Sequence, residues 1–296
     1  MNKALIFLSF LFITACAPSP TPDYKSVDFI SKDAGVVSAT ATESQPFVLN
    51  GRLYLAVWER VLSTKRLDIY DYRTREKLHS IDTNFQFGCI LVIENQLYLY
   101  GSEVDETGWS LHGNGIYMTS TKDFTTWSES YLVIEAPANE RLYNMSVTHD
   151  AQTGWLVMVY EFSRPGYKDF SFRFARSASP NSGWTNVGQV FSPMEYAGCP
   201  TLRYSDGLYQ LMYLRARAGE HLTYIATGET LDSLTEGKVV IAADGDEGTN
   251  NSDLDLVEFE GKTYFSYAIG DQKNWTGIKT ATFGGSMGTF FERMGL

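Results

Sequence analysis

At 296 residues the chain is long enough for one large domain or two modest ones, and its 18 Tyr, 18 Phe and 6 Trp come with almost no long helical periodicity, which points to an all-β domain of many short strands. A formal charge of −11 with no basic stripe excludes a nucleic-acid surface, because phosphate recognition needs clustered Lys and Arg. That charge does not itself imply a cationic partner, since acids spread over a solvated surface give the same total.

Residues 1–15 read as an export signal: Lys3 gives the positive start, and residues 4–12 form an apolar run too short to span a bilayer. Ile13-Thr14-Ala15-Cys16 resembles a bacterial lipobox, which implies cleavage before Cys16, lipidation of that residue and residence in a bacterial cell envelope, exposed to periplasm or cell surface. An ordinary signal peptide with an incidental Cys is the alternative. The Pro-rich residues 16–26 suit a stiff tether between a membrane and a single domain at 27–296. Cys89 and Cys199 could pair in an oxidising compartment, but they start strands of non-neighbouring repeats and are expected as small buried hydrophobes. The four His are scattered and no Cys/His cluster has metal-ligand spacing.

One unit then recurs. Residues 27–37 read as a lone strand, and hairpins follow with turns centred on Gly51, Asn95, Gly154, Gly207 and Gly261, 44–59 residues apart. Each of the middle three is followed by a third strand and a corner in which a hydroxyl residue precedes a large apolar one by seven positions: Ser120 and Trp127, Ser177 and Trp184, Thr227 and Leu234. A fourth strand completes the unit. Four strands per repeat of this length predict a five-bladed β-propeller with four-stranded antiparallel blades, and residues 27–37 are placed to complete the last blade. A two-sheet sandwich would share the hairpins but not the repeated corner. Residues 287–294 read as a terminal helix or a packed tail.

The first strand of a blade lies innermost and the second returns to the same face, so functional groups are sought at the start of the first and the end of the second. The ends of the second strands carry Glu59, Glu103 and Glu161; the starts of the first carry Glu43 and Gln45, Asn144, and Asp253 with Asp255, the last two sharing a side because strand residues alternate. A carboxylate ring suits glycoside hydrolysis, in which one acid protonates the leaving oxygen and a second carboxylate activates water or attacks. Trp58, Trp109, Tyr160 and Trp275 are candidate sugar-stacking faces, although aromatics at strand positions more often belong to the core.

Ser120-Thr121-Lys122-Asp123-Phe124-Thr125-Thr126-Trp127 within this five-blade pattern resembles the propeller clan that includes glycoside hydrolase families 43, 32, 62 and 68. Asn144-Met145-Ser146-Val147, Met158-Val159-Tyr160-Glu161, Cys199-Pro200-Thr201-Leu202-Arg203-Tyr204 and Asn251-Ser252-Asp253-Leu254-Asp255-Leu256 together resemble a group of bacterial predicted glycosidases. The resemblance implies release or transfer of arabinose, xylose or fructose units by an Asp base, a second Asp and a Glu acid at the starts of inner strands. This chain departs from that set, with Glu43-Ser44-Gln45-Pro46 in blade one, Asn144 in blade three and Gly198-Cys199-Pro200 in blade four.

Two readings follow. In the first, a glycosidase works on a plant- or microbe-derived oligo- or polysaccharide, with Glu161 as general acid, Asp253 or Asp255 as base and Glu59 tuning charge. Asn144, Asn251, Arg215, Gln45 and Glu103 would then bind substrate. In the second, the protein binds glycans without cleaving them. A sialidase would need Arg60, Arg164 and Arg215 to converge. No cofactor is expected; Asp244-Gly245-Asp246-Glu247 could bind a structural calcium ion, with a solvated acidic loop the preferred reading.

Overall fold

The computed structural model describes residues 25–61, 64–83, 85–103, 115–167, 170–192, 196–217 and 219–295, with Arg60, Val61, Thr64, Lys65 and Glu103 described as backbone only. Cys16, most of the tether and Trp109 lie outside the described residues. The first strand, β1 (Ser31–Lys32), is followed by blade one: β2 (Ala41–Leu49), β3 (Arg52–Val61), β4 (Thr64–Asp71) and β5 (Lys77–Asp82). Blade two holds β6 (Phe85–Ile93), β7 (Gln96–Glu103), β8 (Gly115–Thr121) and β9 (Tyr131–Glu135). Blade three holds β10 (Arg141–His149), β11 (Leu156–Ser163), β12 (Ser171–Ser177) and β13 (Thr185–Phe191). Blade four holds β14 (Ala197–Ser205), β15 (Leu208–Arg217), β16 (Glu220–Gly228) and β17 (Thr235–Ile241). Blade five, β18 (Asn250–Phe259), β19 (Lys262–Gly270) and β20 (Trp275–Phe283), takes its fourth strand from β1, which pairs antiparallel with β20. Sequence-adjacent strands pair within every blade, and the N-terminal strand closes the ring as expected. The terminal segment is a short helix, α1 (Met287–Arg293), capped by the Ser286 hydroxyl.

Four of the five inner hairpins turn through two residues with positive φ: Asn50-Gly51, Glu94-Asn95, Asp206-Gly207 and Glu260-Gly261. That geometry matches the twist of the flanking strands, and glycine at the second position adopts it without a Cβ clash. Blade three turns through a longer loop, where Asp150 accepts the Gln152 and Thr153 N–H groups and the Tyr209 hydroxyl.

The core is five clusters, one between each pair of neighbouring blades, which is why the second strands read as continuous apolar runs rather than alternating ones. In β3, Leu53, Leu55 and Val57 pack toward blade five, while Ala56 and Trp58 pack toward blade two. Phe265 and Phe283 meet Phe290 of the terminal helix in the cluster between blades four and five. The repeated corner is structural: the Trp127 and Trp184 indoles donate to the carbonyls of Phe124 and Pro180.

Polar staples pin the inner strands across blades. Gln45 exchanges two hydrogen bonds with the Ile90 backbone, the Ser102 hydroxyl donates to Leu142 O at 3.0 Å, and Leu202 N donates to the Ser146 hydroxyl at 3.1 Å. Arg203 joins blades four and five through Asp255 and the Leu256 carbonyl.

Candidate active site

Each inner strand gains one residue on its partner at the same height. Pairing passes from Ala41–Glu59 to Glu43–Trp58, from Gln86–Ser102 to Cys89–Tyr100, and from Tyr143–Glu161 to Met145–Tyr160. It passes likewise from Gly198–Leu214 to Thr201–Met212 and from Ser252–Ala268 to Asp255–Ser266. A bulge takes a residue out of the ladder and re-aims the chain. Phe87, Cys199 and Asp253 absorb it with φ of 56°, 53° and 54°, a region in which a side chain is sterically crowded.

The five bulges surround one small open cavity. Glu43, Gly88, Asn144, Cys199 and Asp253 line it at or beside the bulges, and Ser44, Gln45, Met145, Pro200, Thr201 and Asp255 complete the wall. All eleven come from inner strands, and none is aromatic or cationic.

Glu43 accepts the backbone N–H groups of Phe87 and Gly88. Gly88 is required there, because a Cβ would stand 2.8 Å from both the Trp58 ring and the Tyr100 carbonyl. Burial drives the Glu43 carboxyl well above its usual range, and the charges of Asp253 and Glu161 add to the effect. Asp253 is pushed up to about 6 by burial, against hydrogen bonds from the Ser252 hydroxyl and the Cys199 thiol. Asp255 also reaches about 6: burial outweighs its ion pair with Arg203 and the Leu256 N–H at 2.5 Å.

Glu161 is 2 % exposed and lies behind the wall rather than in it. Asn144 Nδ2 donates to its Oε1 at 3.2 Å, as does the Cys199 N–H, yet burial still raises its pKa to about 8. The site therefore sets a Glu43 whose proton affinity is raised and a Glu161 that holds its proton to about pH 8 beside an Asp253 that ionises near 6, close enough that their charges act on one another.

The structure brings Asn144, Gln45, Asp253 and Asp255 together at the cavity, with Glu161 one layer deeper. Glu59 lies elsewhere: its carboxylate takes the hydroxyls of Ser38 and Thr40, because the bulge in β2 puts the end of β3 against the closing segment. Asn251 is fully buried and donates to Glu247 at 3.2 Å, and Arg215 pairs with Glu236 on the outer strand of its own blade and lies over the Tyr224 ring. Gln45 reaches the wall with both ends of its amide tied to Ile90. Asp253 and Asp255 do share the cavity, although through a bulge and not through regular alternation.

Other expectations are corrected. Trp58 and Tyr160 are core residues, 4 % and 1 % exposed, and Trp275 packs on the cluster between blades five and one, so none is a sugar platform. Arg164 is held by Glu140, far along the chain from Arg215 and its partner, and no arginine triad forms among the described side chains. The acidic loop spends Asp244, Asp246 and Glu247 on the ammonium groups of Lys32 and Lys279, which occupy the place a cation would take. Cys89 and Cys199 are not joined, and Cys199 faces the cavity instead of the core.

Sequence reasoning noticed Glu43 as a blade start but gave it no role, having looked for an aspartate there. The sequence takes Cys199 for a small buried hydrophobe and shows Arg203 only within a motif, with no role. The signal for Glu43 was its place at the bulge level of blade one, legible only once the five bulges are aligned.

No protein-family model matches the sequence, and no curated protein does. Among solved structures the chain is similar to the endo-arabinase from Bacteroides thetaiotaomicron VPI-5482, at a TM-score of 0.62 and 12% identity over 86% of this chain and 97% of that one. It is similar to the α-L-arabinofuranosidase PaAbf62A from Podospora anserina in complex with cellotriose, at 0.61 and 10% over 87% and 95%. It is also similar to the α-L-arabinofuranosidase CtGH43 from Clostridium thermocellum ATCC 27405, at 0.57 and 16% over 76% and 81%. The shared property is the five-bladed propeller fold.

Proposed function

We propose that this propeller is a glycoside hydrolase whose acid and base stand in the central cavity. The observation that carries the reading is the pairing of Glu43 and Asp253 on one wall, in environments that leave the first protonated and the second able to ionise. Glu43 is the general acid and Asp253 the base or nucleophile; two carboxyls in those states are what cleavage of a glycosidic bond needs. Asp255, bound by Arg203, holds the floor, and Glu161 keeps its proton and limits the negative charge behind Asp253. Asn144 and Thr201 are placed to bond sugar hydroxyls.

Among the described residues no cation lines the cavity, which disfavours a uronate or sialate, and no stacking ring does, which suits a small sugar. The names of the similar structures, an arabinase and two arabinofuranosidases, make arabinose-containing glycans the first substrates to try. Lipidation at Cys16 and residence at the cell envelope belong to the same proposal and rest on residues 3–16.

The test is turnover of arabinan, arabinoxylan, xylan and short arabinosides by the wild type, Glu43→Gln and Asp253→Asn. Each variant is expected to lose on the order of 10²–10⁴ in kcat. Retention of full turnover by both removes the assignment. Glycan binding by calorimetry without cleavage supports the second reading, favoured by one observation: Asn144 and Cys199 stand where two ionisable carboxyls would complete the ring.

A further inference from the structure

Blade four puts a cysteine on the cavity wall at its bulge. Cys199 takes a φ of 53°, although Gly198 beside it could adopt a left-handed bend at no steric cost and does not. Gly198 serves another purpose: a Cβ on it would stand 3.3 Å from Glu161 Oε1. The unfavourable conformation thus falls on the residue that carries a side chain, and the bend aims two of its groups. The Cys199 N–H donates to Glu161, and the thiol stands with Asp253 on the cavity wall, where it acts on the Asp253 carboxyl. Asn144 Nδ2 closes the arrangement, 3.2 Å from Glu161 Oε1 and 3.9 Å from the Cys199 sulfur.

We propose that Cys199 is a positioning residue: its backbone holds Glu161, its thiol holds Asp253, and the bend between them sets one carboxyl against the other. The inference rests on the glycosidase reading, in which Asp253 must ionise while Glu161 keeps its proton. The thiol is suited to donating and not to attacking, because burial and three surrounding carboxyls oppose its ionisation. An S–H is also a weak donor, so it orients Asp253 while leaving its proton affinity high, where a hydroxyl would lower it further.

The experiment compares Cys199→Ser, Cys199→Ala and Cys199→Gly with the wild type in the full chain. The pH dependence of kcat/KM is read on whichever arabinoside is cleaved, and the Asp253 carboxyl is titrated directly by 13C NMR. The Asp253 midpoint and the acid limb should move down in the Ser variant and up by about one unit in the Ala and Gly variants. At pH 6 the last two should lose about fivefold in kcat/KM, approaching tenfold at lower pH. Cys199→Gly should also melt no lower than the wild type, and up to roughly 2–4 °C higher, because the bend no longer carries a Cβ. A purely structural cysteine predicts no ordered movement of the midpoint. One Asp253 midpoint, the same within about 0.2 unit, in the Ser, Ala and wild-type proteins overturns the inference. If the wild type cleaves no glycoside, the glycosidase reading fails and the NMR titration still decides the role of Cys199.

Discussion

Replacing Glu161 with glutamine should stabilise the protein, by an amount that grows with pH. The glutamine carbonyl can keep the bonds from Asn144 and Cys199, so the change removes a titrating proton and little else. The folded-state pKa of about 8 lies above the unfolded carboxyl value of roughly 4.3, so the fold prefers the protonated form. The stability that goes with that proton is fully present below about pH 4 and is lost as pH rises through about 8. At pH 7 the loss spans nearly three pH units, worth about 3–4 kcal/mol, and no solvent screening applies to a side chain this buried. One amide N–H that finds no acceptor offsets about 1 kcal/mol. Glu161→Gln should therefore gain about 2–3 kcal/mol at pH 7, or roughly 5–10 °C in melting temperature, and lose about 1 kcal/mol at pH 4. Urea unfolding of both proteins at pH 4, 5.5, 7 and 8 measures it. An equal difference at every pH would show that Glu161 does not hold its proton in the fold, and the picture of a tuned carboxyl set would go with it.

Three further outcomes follow from named contacts. Arg203→Leu strips the buried Asp255 of its ion pair and should cost about 3–5 kcal/mol in urea unfolding near pH 7. Adding Asp255→Asn should recover a good part of that; no recovery would place the cost in lost packing. Gly88→Ala drives a Cβ to 2.8 Å from Trp58 and the Tyr100 carbonyl and should cost about 1–3 kcal/mol while displacing the two N–H groups that hold the Glu43 pKa down, so kcat should fall and its alkaline limb move up; an unmoved limb would show that those groups do not act on Glu43. Cys16→Ala should abolish palmitate labelling and release the protein from the membrane fraction in a bacterial host; persistent labelling would refute lipidation at that residue.

The architecture was legible because it repeats. Turns at Asn50-Gly51, Asp206-Gly207 and Glu260-Gly261, and hydroxyl-to-Trp corners seven residues long, are local signals that do not depend on what lies across the ring. The site was half legible. Asp253, Asp255, Asn144 and Gln45 were found because they start inner strands, and those starts converge. Glu59 and Asn251 were misplaced because their positions were counted along regular strands, whereas each blade inserts one residue just where the count begins. A bulge leaves no composition signal when its residue is Asn, Cys or Asp rather than Gly. Arg215 was misread for a different reason: its partner Glu236 comes from the outer strand of the same blade, a pairing that no sequence spacing announces.

The cavity is the least favourable part of the molecule, and its cost bears on why it persists. Four acids beside or beneath the cavity bind protons more tightly folded than unfolded, and two of the residues facing it hold left-handed backbone. Each such feature weakens the fold near neutral pH. A scaffold role alone is met by the five apolar clusters between blades and by the neutral staples Gln45–Ile90 and Ser102–Leu142, which need no buried acid. Glu59 makes the contrast: it is more buried than Glu43 and Asp253, yet it stands away from the cavity with two hydroxyls on its carboxylate. Four acids that favour the proton around one opening, where the ion-paired Asp68, Glu140 and Glu247 favour the charge, fit the chemistry proposed for that opening.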